Sequence, residues 1–205
     1  WSRWRRSSRC SGMRSRRLSS LRACLGIRAA SAPSIPAAEV RVFSRINGWP
    51  DWLFYLLWLP MQFGNLAVGA LWGLGAAWVT RSWDIAIATA AAVPLKLLIE
   101  RVVRHRLSGL REVRQRPATS IPGARRRGGD VPESGPSFPS GHVIMAATIG
   151  AVIAVDTWPT WSWAPALLVA AVALGRVYVG AHNPLDVSCG LGIGLAAGGV
   201  LSAIT

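Results

Sequence analysis

Two histidines stand at the starts of apolar, helix-like runs, and each is surrounded by groups suited to holding an anion. The first lies in Phe138-Pro139-Ser140-Gly141-His142. Pro139 disfavours helix in the residue before it, Ser140 is a good N-cap, and an apolar run follows His142. The open amides of such a helix start bind phosphate readily. Ser140 adds a hydroxyl, and Gly141 lets the backbone approach closely. The second histidine lies in Arg176-Val177-Tyr178-Val179-Gly180-Ala181-His182-Asn183-Pro184-Leu185-Asp186. Asn183 suits an N-cap, Pro184 the first helical position and Asp186 the third. His182 then stands just outside a helix. Asp186 is close enough to hydrogen-bond one of its ring nitrogens, fixing the tautomer and leaving the other nitrogen free to attack. A capping role for the same carboxylate is compatible with this. The planar fork of Arg176 suits two phosphate oxygens, and Lys96, Arg104 and Arg106 add positive charge upstream. These residue types support attack on phosphorus by one imidazole while the other acts as acid and base.

The elements that must bring these groups together are apolar. The chain is 51% hydrophobic and only 16% charged, with eleven Trp, whereas soluble domains carry roughly a quarter charged residues. Nearly all arginines fall in residues 1–47 and 100–130, leaving long uncharged stretches between and after them. This is the layout of membrane spans separated by polar loops. Five segments of crossing length or slightly less are expected: Phe63 to Thr80, Trp83 to Ile99 with a kink at Pro94, His142 to Val155, Trp161 to Val179, and Leu185 to Ile204. Trp49 to Met61 is too short to cross alone. Residues 38–47 read as an interfacial helix, with Val40, Val42, Phe43 and Ile46 on the apolar side. Gly69, Gly73, Gly75, Gly190, Gly192 and Gly194 permit close helix packing in lipid. Residues 1–36, rich in Arg and Ser with no acid before Glu39, cannot build a core and are expected to be a disordered basic arm. Residues 37–205 form the membrane domain, with a polar Arg-rich loop at 100–138.

The net charge of +14 sits in blocks flanking apolar segments, which fits anionic lipid headgroups and argues against a nucleic-acid partner. Cys10, Cys24 and Cys189 show no paired spacing for a disulfide framework or metal cluster. The nine acids form no carboxylate cluster for Mg²⁺, so neither metal nor cofactor is expected. His105, between two arginines, reads as an exposed loop residue. Nothing in the sequence sets the oligomeric state.

With these motifs in view, the chain resembles the type 2 phosphatidic acid phosphatase superfamily. Pro139 to His142 matches the family's second motif, Pro-Ser-Gly-His. Arg176, His182 and Asp186 match the third, Arg, five residues, His, three residues, Asp, with Gly175 where a serine commonly precedes the arginine. The first motif, Lys, six residues, Arg-Pro, is degenerate. Lys96 is present, but position 103 is Val and neither Arg104 nor Arg106 precedes a proline. Arg106 is slightly preferred over Arg104 as its arginine. Arg116-Pro117, twenty positions from Lys96, is set aside as too distant.

The resemblance implies an all-α, multi-span transmembrane bundle of the phosphatidic acid phosphatase type 2/haloperoxidase-like fold. It implies a metal-independent lipid phosphatase with His182 as nucleophile and His142 as general acid. Lys96, Arg104 or Arg106, Ser140, Gly141 and Arg176 would hold the phosphoryl oxygens. Bacterial polyprenyl diphosphate phosphatases are the branch it looks most like, with a lipid phosphate or diphosphate as substrate. The family places its site on the extracytoplasmic face of the cell membrane, whereas the basic loop is cytoplasmic by the positive-inside rule, so the side stays open. The competing expectation is a catalytically impaired membrane protein that binds anionic lipid through its basic arm and loop.

Overall fold

The computed structural model describes residues 35–107, 114–129 and 131–205, with side chains not described from 103 to 107. The arm expected over 1–36 therefore lies almost wholly outside the described residues. Eight helices are found among them: α1 (Ala37–Asn47), α2 (Leu53–Gln62), α3 (Leu66–Thr80), α4 (Trp83–Leu107), α5 (Pro117–Ser120), α6 (Gly141–Asp156), α7 (Trp163–Tyr178) and α8 (Pro184–Ile204). The only extended pairing among the described residues is one isolated antiparallel bridge between Gln115 and Pro136.

The expected interfacial segment is α1. Its inner face carries Phe43 and Asn47, both buried, one helical turn apart as the period requires. Val42, expected with them, is 49% exposed, because its neighbour Phe43 takes the inward direction. Asn47 locks the end of α1 in place: its Nδ2 donates to the Arg125 and Tyr178 carbonyls, both at 2.8 Å, and its Oδ1 accepts from the Arg125 N–H at 2.8 Å.

The Trp49 to Met61 stretch does form a helix, α2, but it does not run straight into the next. Asn65 caps α3, its Oδ1 accepting from the Ala67 N–H at 3.1 Å, and the two axes meet at 68°. Arg81 then takes a left-handed conformation (φ 57°) to close α3, and α4 begins two residues later. Pro94 lies within α4, which continues through it.

Helix α6 is the centre of the fold. It is buried over most of its length, from Gly141 to Ile153. Its closest partner is α8, which presents Gly190, Gly194 and Gly198 at four-residue spacing along one face. A β-carbon at Gly194 would come within 2.6 Å of both the Ile144 carbonyl oxygen and the Ala147 β-carbon. At Gly190 it would come within 2.7 Å of the Ser140 carbonyl oxygen, and at Gly198 within 2.7 Å of the Ala151 β-carbon. The seam therefore depends on bare backbone, as small-residue helix pairs in lipid do. Gly192, off this face, has open space around it. The result is that the starts of α6 and α8 lie side by side, and the Ser140 N–H donates to the Asp186 carbonyl at 3.1 Å.

All five expected spans are helical, but they differ in length. Only α8, among the described residues, is long and apolar enough to cross a bilayer by itself; α2 and α3 would supply a second crossing if the bent pair is one span. Helices α6 and α7, at sixteen residues each, reach roughly 24 Å, somewhat short of a hydrocarbon core of about 30 Å.

Candidate functional site

The C-terminal part of α4, the start of α6, the end of α7 and the start of α8 converge at one end of the bundle. Between them lies a cavity of about 220 Å³ lined by Glu100, Arg116, Pro132, Pro136, Ser137, Phe138, Pro139, Gly141, His142, Arg176 and His182. Both histidines singled out by the sequence thus open onto one small space.

His142 is the second residue of α6, whose N-cap is Ser140. The first amides of a helix have no partner within it and point outward with the positive end of its dipole. The Ser140 hydroxyl does not accept the usual capping bond. It is buried and, among the described residues, has no hydrogen-bond partner. Lys96 is only 7% exposed and reaches the same helix start: its Cε would lie 3.2 Å from a β-carbon placed on Gly141.

His182 owes its position to the turn that ends α7. Gly180 takes φ 77°, a conformation that glycine adopts without strain. A side chain there would also strike the Arg125 carbonyl. The turn folds back so that the Arg176 carbonyl accepts from the N–H groups of Ala181 and His182 at 3.1 and 3.2 Å. Arg176, 4% exposed, therefore sits directly behind His182 in the cavity wall.

The His182 ring is oriented by a group that sequence reasoning did not reach. Its Nδ1 lies 2.6 Å from the Ser137 carbonyl oxygen. A carbonyl can only accept, so Nδ1 carries the proton and Nε2 keeps its lone pair free. Burial, followed by the positive charges of Arg176 and Arg116, holds the imidazole well below the ordinary histidine range; the bond to Ser137 pulls weakly the other way. His182 is thus a neutral base in this structure.

The expected bond between Asp186 and His182 is not made. Asp186 folds back over its own helix start, where its Oδ2 accepts from the Asn183 N–H at 2.9 Å. Its Oδ1 accepts from Arg114 Nε at 2.9 Å. As the third residue of α8 it is in the ordinary place for a capping carboxylate, and both oxygens are taken. Arg114 continues the network to Glu39, whose Oε1 also accepts from the Leu185 N–H at 2.9 Å. Burial opposes the charge on Arg114, but Asp186 and Glu39 outweigh it and hold the guanidinium above its usual range. Asp186, 0% exposed, thereby ties α1 and the Arg114 segment to the turn that carries His182.

The arginine brought into the cavity is Arg116, which the sequence distance had excluded. Arg104 and Arg106 lie on α4 by their backbone, and their side chains are outside those described. The chain from 117 to 135 closes on itself: Gln115 pairs with Pro136, and the Ser137 N–H donates to the Arg114 carbonyl at 3.0 Å. This returns Arg116 to the site beside Ser137. Arg116 is extended (φ −63°, ψ 152°) and caps α5, with Pro117 at the first helical position, as a residue before proline should be. Its Nη1 donates to the Ala181 carbonyl at 2.8 Å, while its Nε is buried without a partner among the described residues. The Arg-Pro dipeptide was the available signal for it.

Two histidines, two arginines, a lysine, a glutamate and a helix start around one cavity could hold an anion beside an imidazole nitrogen. Among the described residues no group of three or more His, Cys, Asp or Glu is placed to hold a metal ion.

Over residues 85–205, more than half of the chain, the sequence matches the family model of the PAP2 superfamily. It is 47% identical over 55 residues to an undecaprenyl-diphosphatase of Sulfolobus acidocaldarius, a stretch covering 26% of each chain. The alignment thus spans about a quarter of that relative's length. The fold is similar to the crystal structure of Aquifex aeolicus LpxE, with TM-score 0.70 and 21% identity over 83% of this chain and 98% of that one. It is also similar to a transmembrane PAP2 type phosphatidylglycerolphosphate phosphatase from Bacillus subtilis, with TM-score 0.61 and 21% identity over 82% and 84% of the two chains.

Proposed function

The chain belongs to the PAP2 superfamily, and on that premise we propose that it is a metal-independent membrane phosphatase that hydrolyses a lipid phosphate or diphosphate through a phosphohistidine. The observation that carries this reading is the His182 ring, held by the Ser137 carbonyl with Nε2 free, in a cavity that it shares with His142, Arg116 and Arg176.

In the first step Nε2 of His182 attacks phosphorus and the bond to the leaving oxygen breaks. His142 gives that oxygen its proton. In the second step His142 takes a proton from water, the water oxygen attacks the phosphohistidine, and the P–N bond breaks to release phosphate. Arg116, Arg176, Lys96 and the α6 amides hold the phosphoryl oxygens, which is most of what phosphoryl transfer asks of a protein. Asp186 acts at one remove, by fixing the His182 turn and Arg114.

A lipid substrate and a multi-pass membrane location fit the surface. Large apolar side chains are exposed along the bundle, including Leu71, Leu97, Leu167, Leu195 and Val200, an arrangement that soluble monomers avoid in contiguous patches. Trp78, Trp83, Trp158, Trp161 and Trp163 are exposed at helix ends away from the cavity, and Trp52, Tyr55 and Trp58 are exposed on the α2 side, as interfacial aromatic belts would be. The five helices α3, α4, α6, α7 and α8 then cross, with the cavity at the headgroup level on the extracytoplasmic face.

The test is phosphate release by the purified protein in detergent from polyprenyl diphosphate, phosphatidic acid and phosphatidylglycerol phosphate. Turnover of at least one of these, undiminished by EDTA, is expected. No release from any of them by folded protein would leave the lipid-binding reading instead. Acid dependence gives a second check. The attacking form of His182 is neutral, and its lowered protonation range keeps it neutral below the ordinary histidine value. The acid limb of kcat/KM, which reports the free enzyme, should therefore fall below about pH 6.5. An acid limb centred above that value would contradict the assigned nucleophile.

A further inference from the structure

One group lining the cavity works against an anion. Glu100 stands one turn after Lys96 on α4 and faces the same space as Arg116, Arg176 and the two histidines. Its Oε1 lies against the start of α6, so close that a β-carbon on Gly141 would overlap it. The carboxylate thus lies beside the first residue of α6, and its charge acts on both Lys96 and Arg116. A pocket meant only to attract phosphate gains nothing from a carboxylate there.

The charge balance gives the carboxylate a use. Among the described residues, Lys96, Arg116 and Arg176 bring three positive charges to the site. Asp186, paired with Arg114, also acts on Arg116 from behind the cavity wall. Glu100 lines the cavity itself and faces the bound group directly. A phosphate monoester carries about −1.5 to −2 at neutral pH, whereas a diphosphate carries roughly one charge more. Repulsion by Glu100 grows in proportion to the substrate's charge, so it penalises the diphosphate more than the monophosphate. Selectivity by an opposed charge is an ordinary device for rejecting a near relative of the preferred ligand.

We propose that Glu100 is a specificity-determining residue of the phosphate pocket, seated at the α6 start and favouring a lipid carrying one phosphoryl group over a lipid diphosphate. This rests on the phosphatase reading above. The alternative is a counter-ion that only steadies Lys96, and it predicts a different result.

The experiment compares wild type, Glu100→Gln and Glu100→Ala in detergent, using farnesyl phosphate and farnesyl diphosphate so that the tail is constant. The ratio of kcat/KM for diphosphate over monophosphate is expected to rise about fivefold to tenfold in both variants. Inhibition by pyrophosphate should strengthen more than inhibition by inorganic phosphate. Glu100→Gln keeps the shape of the side chain, and a circular dichroism melt identifies any variant that fails to fold, in which case the other carries the test. An unchanged or lowered ratio in a folded variant overturns the proposal. Wild type active on either substrate with an unmoved ratio sinks the Glu100 role alone, whereas wild type inactive on all phosphorylated lipids sinks the phosphatase reading itself.

Discussion

Replacing His182 with alanine is expected to abolish lipid phosphate release, a loss on the order of 10⁴-fold or more, while the protein stays folded. The reason for so large an effect is that no other group among the described residues offers a free imidazole nitrogen held at this place. The ring is fixed by a single short bond to the Ser137 carbonyl and is backed by Arg176. His142 stands at the start of a different helix and cannot take over the attack without moving. The structural cost is smaller. Alanine leaves the Ser137 carbonyl without its donor, worth about 1–3 kcal/mol, and does not disturb the α6–α8 seam. A thermal melt should shift by about 2–12 °C for a loss of that size. With radiolabelled substrate, the wild type should carry an acid-labile phosphoryl group that the variant lacks. Undiminished turnover in a folded His182→Ala protein, or a label that persists in it, would refute the assigned nucleophile.

Which parts of this site could be read from the sequence follows from how local each one is. His142 and His182 were legible because a helix start is encoded within a few residues. Pro139 and Ser140 announce one, Asn183 and Pro184 the other, and both appear in the fold as expected. The glycines of α8 were legible as a packing face, although only the geometry shows that Gly190, Gly194 and Gly198 carry the seam and that Gly192 does not. The partner of Asp186 was not legible. At four residues from His182 and three from Asn183, its carboxylate is within reach of either, and the sequence does not choose between them. Ser137 was hidden for another reason: it acts through its backbone carbonyl, so its residue type carries no signal. Spans were found as helices: α6 covers its whole expected run, whereas α7 starts at Trp163, because Trp161 falls in the turn over 157–162.

Arg116 is the most instructive case, since its position depends on a contact across a long excursion of the chain. Counting from Lys96 excludes it. Only the pairing of residues 114–115 with 136–137 brings it back, and no local pattern states that pairing. Arg116 and Pro117 thus supply an Arg-Pro dipeptide at the cavity, on the far side in sequence from where counting from Lys96 would place it.

Alanine at Arg116 should then cost about 10²- to 10³-fold in kcat/KM, the range found when one preorganised donor to a developing oxyanion is removed. Two losses combine in that figure. The guanidinium no longer faces the phosphoryl oxygens in the cavity, and the Ala181 carbonyl, just before His182, loses its bond to Nη1. Lysine at the same position restores charge without the planar fork and should recover only part of the activity. Alanine at Arg104 or Arg106 is the matched control, since the first motif read by spacing alone would assign the role to one of them. Each of these is expected to cost less than about threefold if Arg116 carries that role. A deep loss in Arg104→Ala or Arg106→Ala, with Arg116→Ala mild, would return the first motif to α4. The 117–135 excursion would then be a surface loop with no part in holding phosphate.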